Sequence, residues 1–263
     1  MTAIDPASAG KPMPVVFIGH GSPENALEEN EFTRNWKELA RSIPRPRAVL
    51  SISAHWLTEG TAVTAMSKPR TIHDFYGFPE ALHKIRYPAP GSPDAAARIA
   101  KAVASAKVQP DEEWGLDHGT WSVLVNMFPQ ADVPVLQMSL DYYLPPLRQY
   151  QIGRELRVLR GEGILILGSG NLVHNLMAVD FEAAPYGWAL EFDAFVEQSL
   201  AARDDDALIQ YARQKTARLA HPTYDHYLPL LYVLGASERE TPRQFNGGIF
   251  AGSVGMRCAV FGG

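Results

Sequence analysis

Val15-Val16-Phe17-Ile18-Gly19-His20, Ala48-Val49-Leu50-Ser51-Ile52-Ser53-Ala54-His55 and Ile164-Leu165-Ile166-Leu167-Gly168-Ser169-Gly170-Asn171-Leu172-Val173-His174 follow one pattern: a short apolar run, small residues, then a histidine. Such runs read as strands buried on both faces, the kind found in parallel sheets. In an open α/β sheet the carboxyl ends of these strands share one edge, and ligands bind in the crevice outside it. Three of the eight histidines are therefore expected to converge there. His226, in HPTYDHYLPLL, is expected to reach the same crevice from the start of a late helix. Neutral imidazoles are common ligands of first-row transition metals, so the chain reads as a metalloenzyme.

Further strands are expected at Thr61 to Met66, Val133 to Ser139 and Gly252 to Val260, since each is a short apolar or β-branched run bounded by turn residues. Between the strands lie helical patterns. Phe32, Trp36, Leu39 and Ile43 follow a helical stripe with Asn30 as cap, and Ser92-Pro93-Asp94 is a helix start. Trp121 to Phe128, Leu147 to Leu159, Trp188 to Leu200 and Tyr227 to Leu234 complete the set. Strands alternating with helices predict an α/β fold: a single domain with a central, mainly parallel sheet flanked by helices on both faces. Lys68 to Pro93 shows no long period and is rich in Pro, Gly and aromatics; a loop of this length is expected to wall a pocket or act as a lid.

With 263 residues, 46% of them hydrophobic, the chain can bury one large core, and residues 1–263 are read as one catalytic domain. Residues 1–13 are read as a flexible extension. A net charge of −5 without a basic cluster argues against nucleic acid or an anionic membrane as partner and favours a small molecule. Cys258, the single cysteine, is expected to be a core thiol. With no secretory leader or membrane span legible, a cytoplasmic protein is expected, as a monomer or a small homo-oligomer.

Other histidines divide by context. GSGNLVHN lacks the glycine spacing of a nucleotide fingerprint, so it reads as a turn delivering His174 close to the metal ligands but distinct from them, where it suits acid–base work. His118, in DHGTW, is compatible with a buried structural or capping role and with a direct one. His221 and His226 lack the spacing of two ligands on one helix face. His83 reads as a surface residue. His73, in TIHDFYGFP, is expected to line the pocket, and Phe75, Tyr76 and Phe78 to supply an apolar wall for an aromatic ring. Ser22 and Ser169 lie outside any nucleophile elbow and read as turn residues.

GHGSP, SAHW, TIHDFYGFP, YPAPGSP, DHGTW, GSGNLVHN and PTYDHYLPLLYVLGA, in this order from about Pro14 to Phe261, together resemble the class III extradiol ring-cleavage dioxygenases, in particular their DOPA 4,5-dioxygenase-like branch. The resemblance implies His20, His55 and His226 as metal ligands and His174 as the acid–base residue, a possible fourth ligand when zinc is bound. It implies His118 as a second catalytic histidine assisting with oxygen or substrate. The implied reaction is Fe(II)-dependent cleavage of a catechol, DOPA-like or otherwise substituted, with O2. Three imidazoles also suit Zn(II), so zinc in the isolated protein and a zinc-dependent hydrolase on the same scaffold are alternatives, as is a non-catalytic metal- or small-ligand-binding protein. Arg70, Lys84, Arg86 and Tyr224 are all open as residues that recognise the substrate's substituent, with Tyr224 counted among the substrate-binding set with His73, Phe75 and Tyr76.

Overall fold

In the computed structural model, which describes residues 11–262, the three histidine-terminated runs are neighbours in one sheet. The strands are β1 Val15–Gly19, β2 Ala48–Thr58, β3 Thr61–Thr64, β4 Val108–Asp111, β5 Val135–Asp141, β6 Ile164–Gly170, β7 Arg243–Phe245, β8 Ile249–Phe250, β9 Val254–Gly255 and β10 Cys258–Phe261. Eight of them form a sheet in the order β4-β3-β5-β2-β6-β1-β10-β7, while β8 and β9 pair separately. The central β5-β2-β6-β1 block is parallel, with Leu50 opposite Ile166 and Val15 also opposite Ile166. Antiparallel pairings join β10 to β1 and β7 to β10 at one side, and β3 to β5 at the other.

Strand periodicity sends alternate residues to opposite faces. Val15, Phe17, Leu50, Ile52, Ile164 and Ile166 belong to one buried cluster, and Val16, Ile18, Val49, Leu165 and Leu167 to the other. On the second face lie Trp36 and Leu39 of α1 (Glu31–Ser42), and Trp121 and Leu124 of α4 (His118–Met127). The intervening helices are α2 (Glu80–His83) and α3 (Pro93–Ala102). The first face carries Ile99 of α3, Ile152 of α5 (Pro146–Leu156), Phe192 of α6 (Gly187–Ala202), Leu208 of α7 (Asp205–Ile209), Ala220 of α8 (Ala217–Ala220) and Leu231 of α9 (Leu228–Ala236). Every residue of α9 is buried, as expected of a helix that is apolar all round.

The expected caps form. Asn30 accepts from the Thr33 N–H and Ser92 from the Ala95 N–H. The expected strand over Gly252 to Val260 divides instead into β9, which pairs with β8, and β10, which joins the main sheet; Arg257 between them is buried and pairs with Asp193 (2.9 and 2.7 Å). Most of the expected extension at residues 1–13 lies outside the described residues; Met13, its last residue, is buried and donates its N–H to the Arg160 carbonyl (3.1 Å). Among the described residues no helix is long and apolar enough to cross a membrane.

Candidate functional site

The C-terminal ends of β1, β2 and β6 open onto a cavity of about 480 Å³ lined by His20, His55, His118, His174 and His226. Each histidine reaches it by a different local device. His20 is the first residue after β1, its N–H bonded to the Gly170 carbonyl (3.0 Å). His55 lies inside β2 and not beyond it: pairing with β6 stops at Ser53, and the register against β5 shifts between Ile52 and Leu57. The irregularity re-aims the strand as a bulge does. His118 opens α4, which Asp117 caps by accepting from the Thr120 N–H and from Ser53 Oγ (2.8 Å). His174 is held by its N–H to the Ala220 carbonyl (2.8 Å), and the His226 carbonyl accepts from the Asn171 N–H (3.0 Å).

Close backbone approach makes this assembly possible at Gly119 and Gly170. A Cβ on Gly119 would fall 2.7 Å from Ser53 Oγ and 2.8 Å from His55 Cδ2, and one on Gly170 would fall 2.2 Å from the His226 carbonyl oxygen.

On three of the rings an acceptor lies beside Nδ1. Ser169 donates its hydroxyl to the Gly119 carbonyl, so it accepts from His20 Nδ1–H (2.9 Å). His55 Nδ1 lies 3.3 Å from Asp74 Oδ2, and His226 Nδ1 is bonded to Asp225 Oδ2. With the proton on Nδ1, facing these acceptors, each ring presents an Nε2 lone pair. His20 and His55 Nε2 face each other at 3.2 Å, and His226 Nε2 is buried with no partner. Ring centroids of the three lie 5.1, 5.3 and 4.9 Å apart, close to the roughly 5 Å set by nitrogens about 2.0–2.1 Å from one tetrahedral ion.

The tightest groupings of donor atoms are His20, His55 and His118, and separately His174, Asp225 and His226, each within 4.8 Å. The expected trio straddles them. His118 sits only 4.0 Å from His55 and 5.7 Å from His20 by ring centroid, a lopsided arrangement compared with that of His226. Its Nδ1 is 3.0 Å from Asp74 Oδ1, which also accepts the His118 N–H (2.9 Å). His174 stacks on His226 with centroids 3.4 Å apart.

Electrostatics favour uncharged imidazoles and a charged Asp74. Burial, followed by repulsion from the neighbouring imidazoles, holds His20 and His226 well below the ordinary histidine range. Burial and His118 lower His55 to about 3, and burial lowers His174 to about 4. Asp74, although raised by burial, is lowered overall to about 2 by its hydrogen bond to His118 and the charges of His118 and His55.

The aromatic wall is present in part. Phe75, Tyr76 and Phe78 line the cavity, Phe75 buried and Tyr76 exposed at the rim. Leu176, Val179, Phe181, Phe250 and Val254 also line it, a side that no motif pointed to. His73 corrects the expectation: its Nε2 is bonded to the Ile85 carbonyl (3.0 Å) and its ring packs on Trp121 behind Phe75, outside the lining. Tyr224 also lies outside, donating to the Tyr142 carbonyl (3.1 Å). His221 is buried, bonded through Nε2 to the Leu172 carbonyl (3.0 Å). Asp74, Asp225 and Ser169, the partners of the ring Nδ1 atoms, were not singled out in these roles from sequence. The usable signal was chemical: a ligating histidine needs an acceptor at its other nitrogen, and the two aspartates lie inside the TIHDFYGFP and PTYDHYLPL motifs.

Comparison with known proteins gives the family. Residues 11–255 match the family described as the catalytic LigB subunit of aromatic ring-opening dioxygenase. A 4,5-DOPA dioxygenase extradiol of Escherichia coli is 46% identical over 257 residues, covering 95% of each chain. The enzyme of the same name from Beta vulgaris is 37% identical over 232 residues, covering 84% of this chain and 85% of that one. A crystal structure of an uncharacterized protein from Escherichia coli K12 superposes with a TM-score of 0.83 at 41% identity, covering 95% of this chain and 100% of that one. The chain therefore belongs to the LigB family of aromatic ring-opening dioxygenases and is an extradiol dioxygenase.

Proposed function

We propose that this enzyme is a non-haem Fe(II)-dependent dioxygenase that opens the ring of a substituted catechol beside its diol, using O2, in the cytoplasm. The observation that supports it most is that the ring centroids of His20, His55 and His226 stand 4.9 to 5.3 Å apart, each ring with an acceptor beside Nδ1. Neutral nitrogen donors suit a divalent first-row ion, and the buried, unpartnered His226 Nε2 is the kind of atom such an ion satisfies. A ferrous ion held there supplies open positions at which catechol and O2 are activated together.

The chain's own groups do the rest. His174, uncharged and facing the cavity, is placed to take a phenolic proton on a ring nitrogen and later return it. His118 lines the same cavity with its Nδ1 beside Asp74 Oδ1, which leaves its Nε2 lone pair to accept a hydrogen bond or a proton from the substrate. Phe75 and Phe78 flank the ring and keep water from it. Asp74 serves two imidazoles at once, fixing both His55 and His118.

Anaerobic loading with Fe(II), followed by a catechol and oxygen, tests the reading through the yellow, ring-opened semialdehyde. Activity confined to the zinc-loaded protein with an ester or amide would replace it with the hydrolase reading. Inertness in both assays would leave a binding protein.

A further inference from the structure

The cavity wall contains no lysine or arginine among the described residues, and its carboxylates are Asp74 and Glu24. Asp74 is committed to His55 and His118. Glu24 is half-buried, and among the described residues its side-chain hydrogen bond is from the Ser22 hydroxyl, which donates to Oε2 (3.1 Å). A smaller cavity of about 220 Å³ adjoins the first, sharing Ser22, Glu24, Phe181 and Phe250 with it and adding Glu28, again without lysine or arginine. The cations considered for recognising the substituent are engaged elsewhere: Arg70 with the Trp114 carbonyl, Arg86 with the His83 and Ile85 carbonyls, and Lys84 with Glu80.

We infer that this annex is the subsite for the substrate's ring substituent, that Glu24 determines its charge, and that the preferred substrate is a catechol whose substituent carries an ammonium group. The inference rests on the catechol reading above. Glu24 offers the ammonium a charged hydrogen bond with a free carboxylate oxygen, and Glu28 adds a second negative charge at the exposed side. Phe181 and Phe250, 5.8 Å apart by ring centroid, line both cavities and add aromatic surface beside the carboxylate. A carboxylate on the substituent meets the opposite field and finds no lysine or arginine in either cavity among the described residues. An amine-only side chain is therefore bound at least as well as an amino-acid one.

Anaerobic titration calorimetry on the Fe(II)-loaded full chain tests this with dopamine, 3-(3,4-dihydroxyphenyl)propanoate and uncharged 4-methylcatechol. The expected result is dopamine binding about tenfold tighter than the propanoate, the fold-change of one charged hydrogen bond. Glu24→Gln should bring that ratio close to one and Glu24→Lys should invert it; Glu28→Gln should lower it less. Because the readout is a ratio within each variant, a general loss of binding cancels. The inference is overturned if the wild type binds the propanoate as tightly as dopamine, or if Glu24→Gln leaves the ratio unchanged. Admitting oxygen separates the two readings: binding of all three without ring opening removes the dioxygenase reading while the ratio still decides Glu24, and binding of none removes both.

Discussion

His174 lies flat on His226, with ring centroids 3.4 Å apart and planes 8° from parallel. Imidazoles that share a tetrahedral ion stand about 5 Å apart, so only one of this stacked pair can join the proposed donor triangle, and the proposal assigns that place to His226. His174→Ala should keep most of its metal while turnover falls by roughly 10²–10⁴-fold, the loss typical of a missing acid–base group. His226→Ala and His20→Ala should lose the metal. Metal analysis after Fe(II) loading, beside steady-state rates, checks this; an empty site in His174→Ala with a full one in His226→Ala would exchange their roles.

Asp74 holds His55 at 3.3 Å and His118 at 3.0 Å with its two oxygens. Asp74→Asn should weaken metal binding by about 10–100-fold, the usual effect of removing a carboxylate behind a ligand, and should also slow turnover at saturating metal because His118 loses its orientation. Asp225→Asn should show the first effect without the second. Chelator competition and rates at saturating Fe(II) separate the two.

Gly119→Ala places a methyl group 2.7 Å from Ser53 Oγ and 2.8 Å from His55 Cδ2. Overpacking of this kind costs about 1–3 kcal/mol, and relief is available by moving His55. The variant should therefore unfold at lower denaturant concentration and bind metal more weakly. Urea titration with and without metal measures both.

His221 is lowered to about 4, first by burial, although its hydrogen bond to the Leu172 carbonyl opposes the shift. The unfolded chain, with an ordinary histidine pKa near ~6.5, takes up this proton first as pH falls. The contribution of His221 is thus fully present above that value and is lost on acidification toward its folded pKa. His221→Phe should be less stable at pH 7.5, since the Leu172 carbonyl loses its donor. Between pH 6.5 and 4.5 its stability should fall less steeply, by about 1.4 kcal/mol per pH unit for one proton. Urea midpoints across that range test the slope.

The central strands and the histidines at their ends were legible because continuous apolar runs followed by small residues have few other readings. The edge strand β4, VQPD, was not, since Pro110 removes a ladder donor; it is tolerated there because β4 is outermost in the sheet. His55 appeared to follow a strand that in fact continues to Thr58, because an irregularity in register leaves no mark in composition. Asp74 was hidden for a different reason: its partners lie on β2 and α4, and its own segment has no period from which a direction could be read. Glu24, two residues beyond GHGS, became visible only when the absence of nearby cations could be seen.

The three ring nitrogens proposed to hold the ion belong to positions 20, 55 and 226, and the acceptors behind them to 169, 74 and 225. No contiguous fragment short of nearly the whole domain contains the set. Nascent or proteolysed pieces therefore cannot compete for the ion with comparable affinity, and tight coordination is postponed until the most distant parts of the chain have met. On the proposed ligand set, metal uptake would report that folding is complete.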